Sequence, residues 1–124
     1  GQGEIVRCLL ESLAASSAVL LERLGSIADR QPETLYLVGG GARNPLLYHL
    51  VASATNTTIC VGPTEATALG SLLVQFRSSG EIQSLERGRT LVDRTIDPTY
   101  IEPRNHTQWC DALDLMRDFK HLDV

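Results

Sequence analysis

At 124 residues the chain fits one domain with a real core, and 43% hydrophobic with 21% charged residues is ordinary globular composition that argues against disorder. A net charge of −4 with scattered signs argues against an electrostatic grip on nucleic acid, which calls for clustered Lys and Arg. No apolar run reaches the length of a membrane span, and the opening GQGEIVRCLL lacks the layout of a signal peptide, so a cytoplasmic protein with no membrane partner is expected.

From Glu4 onward Ile5, Leu9, Leu13, Ser16, Leu20, Leu24 and Ile27 recur at steps of three and four, which predicts a long helix with one apolar stripe. Its middle, Ala14 to Ala18, is small enough to let a neighbour approach closely. Gly25 weakens this helix and marks a bend or a frayed turn, and Gln31-Pro32 closes it.

Leu35 to Asn44 reads LYLVGGGARN, a strand, a turn and a helix start in one stretch. Leu35 to Val38 shows no polar alternation, which suits a strand buried on both faces of a parallel sheet. Gly39, Gly40 and Gly41 reach positive φ cheaply and carry no Cβ to hold a ligand away, so an anion or a nucleotide fits against their main chain. A plain tight turn would use the same glycines. Asn44 caps the next helix and Pro45 suits its first position. The stretch is not a Walker A loop, since no G-K-[ST] follows, and position 44, where G-x-G-x-x-G needs its third glycine, holds Asn.

In the helix after the turn, Leu46, Leu47, Leu50, Val51 and Ala54 form the inner face. Thr57 to Val61 is β-branched and apolar and predicts a second strand, parallel to the first by the handedness of the crossover. Gly62-Pro63 ends it. Thr64 is placed to cap a third helix with Glu65 in its first turn, Ala66, Leu69, Leu73 and Phe76 on its inner stripe, Gly70 as a flat spot and Gly80 as its stop. A short helix over Ser84 to Val92, an extended Thr95 to Pro103 and a helix over Asn105 to His121 follow. In the last, Asn105 with Gln108 makes a capping box, Trp109, Leu113, Met116 and Phe119 are the buried stripe, and Lys120 and His121 meet the dipole.

Cys8, Cys60 and Cys110 lie far apart in apolar periodic elements, and are expected as reduced, buried thiols. His49, His106 and His121 share no metal-site spacing. A sheet this thin beside long apolar helices leaves edges and faces uncovered, which points to completion by strands from elsewhere.

With these motifs in place, the sequence resembles the C-terminal part of the FGGY family of carbohydrate kinases. The resemblance is carried by GEIVRCLLESLA, by VGGGARN paired with GPTEATALG, and by SSGEIQSLERGRTLV, and it thins beyond about Asp97. It implies an α/β fold: part of a ribonuclease H-like (actin-like ATPase) domain with short parallel strands and long flanking helices. Residues 1–124 would form part of the C-terminal ATP-binding lobe, the assignment being weakest over about 95–124. Those kinases use MgATP, and the branch most similar here phosphorylates L-rhamnulose at its 1-hydroxyl; xylulose and glycerol are the alternatives within the family. Position by position, Gly39, Gly40 and Gly41 match the turn that lines the ATP pocket, with Gly40 first for direct contact, and Asn44 matches the boundary of the adenine region. Arg43 stands at a position of varied polar residues and carries no assignment. Glu65 to Gly70 match the helix that closes over the second strand and packs behind the nucleotide.

The family's catalytic aspartate, phosphate loop and Mg ligands fall in segments N-terminal to this stretch, so the resemblance implies that the chain is inactive without the remaining N-terminal lobe. Its partners would be that lobe and, through the whole enzyme, ATP or ADP and a sugar. Two other readings of the glycine turn stay open: a non-catalytic nucleotide- or partner-binding module, and a dinucleotide binder with Glu65 as the ribose acid.

Overall fold

A computed structural model describes residues 1–119. Lys120 and His121, expected in the last helical turn, lie outside the described residues. The first helix, α1, runs Gln2–Ala28, and strand β1, Thr34–Leu37, leads through a 3₁₀ turn, Gly39–Arg43, into helix α2, Pro45–Thr55. Strand β2, Thr58–Val61, is followed by helices α3, Ala66–Ser78, and α4, Leu85–Thr95. Strand β3, Thr99–Ile101, a 3₁₀ turn at His106–Trp109 and helix α5, Cys110–Phe119, complete the order.

The sheet has the order β1-β2-β3. β1 and β2 run parallel, with Leu35 opposite Ile59 and Leu37 opposite Val61, as the strand–helix–strand reading requires. β3 joins antiparallel as a third strand inside the predicted extended segment, with Ile101 opposite Ile59. The result is the expected α/β architecture, a small mixed sheet with long flanking helices, consistent with an actin-like, ribonuclease H-like fold.

The core lies between one sheet face and the layer of α1, α2 and α5. Ala14, Ala15, Ala18 and Val19 of α1 meet Val51, Ala52 and Ala54 of α2, with Ile59 of β2 and Leu113 of α5 in the same cluster. Methyl-sized side chains allow two helix backbones to approach closely, and Ala14 and Ala52 are fully buried. This corrects the expected buried face of α1. Ile5, Leu9, Leu13, Leu20, Leu24 and Ile27 are exposed, from 51% at Leu24 to 83% at Ile27. The large apolar stripe therefore faces away from the described core, and the alanine face is the one packed inward.

The faces of the other elements follow the same division. In α2, Val51 and Ala54 are buried as read, Leu47 and Leu50 are half-buried, and Leu46 is exposed. β1 is not buried on both faces: Tyr36 is 72% exposed while Leu35 and Leu37 are half-buried. Tyr36, Cys60 and Tyr100 stand opposite one another across the three strands, so they share the face turned away from the helix layer. Cys60 is buried as expected, whereas Cys8 and Cys110 are exposed. α3 has no buried residue, and packs on α4, where Gly88 leaves room for Leu73. In α5 Leu113 is buried and Met116 packs half-buried against the core beside Trp109 of the preceding 3₁₀ turn, but Phe119 is exposed.

Local signals account for several boundaries. α3 ends in a Schellman motif, with Gly80 at φ +82° and Glu81 N–H donating to Phe76 O at 2.9 Å. The Ser84 hydroxyl accepts from Arg87 N–H and caps α4. Gly25 is no frayed turn: it is buried, and a Cβ there would run into the Gln31 side chain. Asn105 makes no side-chain cap with φ at +53°, so the expected capping box is absent and a 3₁₀ turn precedes α5.

Arg117 of α5 forks onto Glu22 of α1, with Nη2 to Oε1 at 2.6 Å and Nε to Oε2 at 3.0 Å. This hydrogen bonding holds the Glu22 carboxyl below its usual range, against the opposing effect of burial. A depressed folded value means the contribution is present above the ordinary carboxylate pKa and is lost as pH falls through the lowered one. Glu22→Gln is expected to cost roughly 0.5 kcal/mol at neutral pH, the pair being partly solvated, and the difference should shrink in urea melts as pH falls below the ordinary carboxylate range and disappear once the lowered pKa is passed. Ala18→Leu would overfill the α1–α2 contact, and should lower stability by about 1–3 kcal/mol in the same melts.

Candidate functional site

The site candidates gather where β1 and β2 end, because parallel strands deliver both of their following turns to one edge of the sheet. Gly62 N–H donates to Leu37 O at 2.9 Å, and Gly39 N–H donates to Pro63 O at 3.1 Å. These bonds continue the strand ladder into the two turns. Open α/β sheets bind ligands outside the carboxyl ends of their parallel strands, which is this position.

The three glycines differ in what they do. Gly39 has φ +74°, a conformation that a side chain would strain. Gly40 is exposed, and a Cβ built on it would meet nothing within 4 Å. Gly41 is backed by the domain's own side chains, since a Cβ there would touch Leu47 at 3.6 Å and Leu37 at 3.7 Å. Open main chain is therefore concentrated at Gly40. Asn44 caps α2 as expected, its Oδ1 accepting from Leu47 N–H at 3.2 Å, which leaves its amide NH₂ to offer a ligand.

The start of α3 lies beside the glycine turn, tied to it by Gly39 N–H on Pro63 O and by Arg43 on Glu65. Thr64 does not cap this helix; Glu65 occupies the cap position, and its side chain makes no capping bond. The Glu65 carboxylate instead accepts from Arg43 Nη2 at 2.9 Å, across 22 residues of sequence. The first-turn N–H groups of α3 are left without a side-chain cap beside the glycine turn. Gly70, on the same helix, is also open, with nothing within 4 Å of a Cβ. α3 packs chiefly on α4, whereas the resemblance had it closing over the second strand.

Two residues of this site escaped the sequence reading. Gly62, taken only as a strand end, is needed for close approach: a Cβ there would lie 2.8 Å from Val38 Cγ1. Arg43 is the other, and no local signal ties it to an acid so far along the chain.

The model of the FGGY family of carbohydrate kinases, C-terminal domain, matches residues 1–79. A rhamnulokinase of Bacteroides thetaiotaomicron is 38% identical over 108 residues, 87% of this chain and 22% of that protein. A rhamnulokinase of Enterococcus faecalis is 41% identical over 105 residues, 83% of this chain and 21% of that protein. One from Bacillus subtilis is 31% identical over 103 residues, 83% of this chain and 21% of that protein. The chain thus spans about a fifth of the length of these relatives.

Removing the cap with Asn44→Ala should cost about 1 kcal/mol of stability by loss of the Leu47 N–H partner, read as a shift in the denaturant midpoint at constant slope.

Proposed function

The chain belongs to the FGGY family of carbohydrate kinases, and from that premise we propose that it supplies ATP-binding surface, within the C-terminal lobe, of a kinase that phosphorylates L-rhamnulose at its 1-hydroxyl. The observation that carries the reading is Gly40: an exposed glycine at the carboxyl edge of two parallel strands, with open space where a Cβ would stand, in a turn tied through Arg43 to the uncapped start of α3. Phosphate oxygens are well served by such groups, since main-chain N–H donors approach closely where no Cβ intervenes. Gly39 sets the turn, Gly41 supports it, and Asn44 bounds the adenine side with its free amide. The three relatives, all rhamnulokinases, support L-rhamnulose as the sugar.

In this reading the chain contributes positioning rather than bond making. Phosphoryl transfer needs the nucleotide, the metal and the acceptor hydroxyl held in line, with an aspartate to take the hydroxyl proton. Bound Mg would neutralise charge on the phosphates, and its ligands and the aspartate belong to the rest of the kinase, residues 1–124 alone being inactive. The outward stripe of α1 and the open edge of β1 fit the same arrangement. A contiguous apolar surface and an unpaired strand edge are what a larger fold covers.

A dinucleotide reading is disfavoured by two features. Asn44 holds the third-glycine position, and Glu65, the candidate ribose acid, sits beyond Pro63 with its carboxylate on Arg43.

Calorimetric titration of the kinase that carries this domain, with ATP, ADP and NAD, tests the assignment: ATP and ADP should bind and NAD should not. Gly40→Asp has room for its side chain, so the fold should persist while the Kd for ATP rises about tenfold or more, ~1.4 kcal/mol. NAD preference, or an unchanged Kd in a folded Gly40→Asp protein, would overturn it.

A further inference from the structure

We infer that Arg43 and Glu65 are a positioning pair for the nucleotide, a strap that holds the glycine turn at a set distance from the start of α3. The inference rests on the nucleotide reading above. The two segments, 39–43 and 62–65, are already joined at their base by Gly39 N–H to Pro63 O and Gly62 N–H to Leu37 O. The Arg43–Glu65 ion pair, 2.9 Å long, is a further tie at the far end of the 3₁₀ turn. Gly40, Gly41 and Ala42 lie between the ties on one segment, and Thr64 lies between them on the other.

Stability gives little reason for this pair. Its side chains are 66% and 70% exposed, and solvated pairs of that kind contribute little to folding. Glu65 also forgoes capping its own helix to make it. What the pair does is geometric: with it closed, the open main chain of Gly40 keeps its orientation to the uncapped N–H groups of α3. With it open, the 3₁₀ turn is tied to the 62–65 loop only through Gly39 N–H, and the nucleotide-competent arrangement is populated for a fraction of the time. Apparent affinity falls by that fraction.

The test compares Arg43→Gln, Glu65→Gln, the double variant and the swap Arg43→Glu/Glu65→Arg, in the full kinase, by ATP calorimetry, steady-state kinetics and thermal melts. Each single variant should raise the Kd and KM for ATP about two- to fivefold, the factor an exposed ion pair allows, with the sugar KM and the melting temperature unchanged. Because the two residues act through each other, the double variant should be no worse than either single one, and the swap should recover most of the loss. Additive losses, a tighter Kd in Glu65→Gln, or an equal rise in the sugar KM would overturn the inference. If the unaltered kinase binds no ATP, the nucleotide reading falls and the strap with it. If it binds ATP and every variant matches it, only the strap falls.

Discussion

The close approach of α1 and α2 is the contact on which the rest of the domain depends. Alanines 14, 15 and 18 of α1, with Val19, meet Val51, Ala52 and Ala54 of α2. Small side chains let the two helices lie near enough to share one shallow layer over the sheet, where Ile59 closes the core from below. Larger residues at those positions would lift α1 away and move α5, which is held to it by Leu113 and by the Arg117–Glu22 fork. Because the layer is thin, its support reaches the glycine turn through few residues. Leu47 is one of them: it packs on the core, touches the Gly41 position and donates the bond that Asn44 accepts.

The adjacency of the two turns comes from chain direction. Parallel pairing puts the ends of β1 and β2 side by side, so the turn of 39–43 and the loop of 62–65 run together. Each glycine there answers a different demand, with left-handed backbone at Gly39, open main chain at Gly40 and tight approach to Val38 at Gly62. A nucleotide reading needs all three, since a strained or crowded turn would turn the Gly40 main chain away from the opening.

The outward stripe of α1 and the bare tyrosine face of the sheet belong with the chain's modest share of its relatives' length. Burying them would add apolar area that the described core lacks.

Much of this was legible in the residues. Period and punctuation place α1, α2, α3 and β2, Asn44-Pro45 predicts the start of α2, Gly80 predicts the stop of α3, and strand–helix–strand order implies parallel pairing, because these depend on local dihedral preferences and connection handedness. Periodicity could not say which face of α1 turns inward, since a stripe of leucines and a stripe of alanines both recur at helical spacing and only the neighbour's shape chooses between them. The join of β3 to β2, the exposure of Cys8 and Cys110, the crowding at Gly62 and the reach of Arg43 to Glu65 were likewise decided by tertiary structure. Each is a relation between residues distant in the chain, and such distances exist only after the chain has closed on itself.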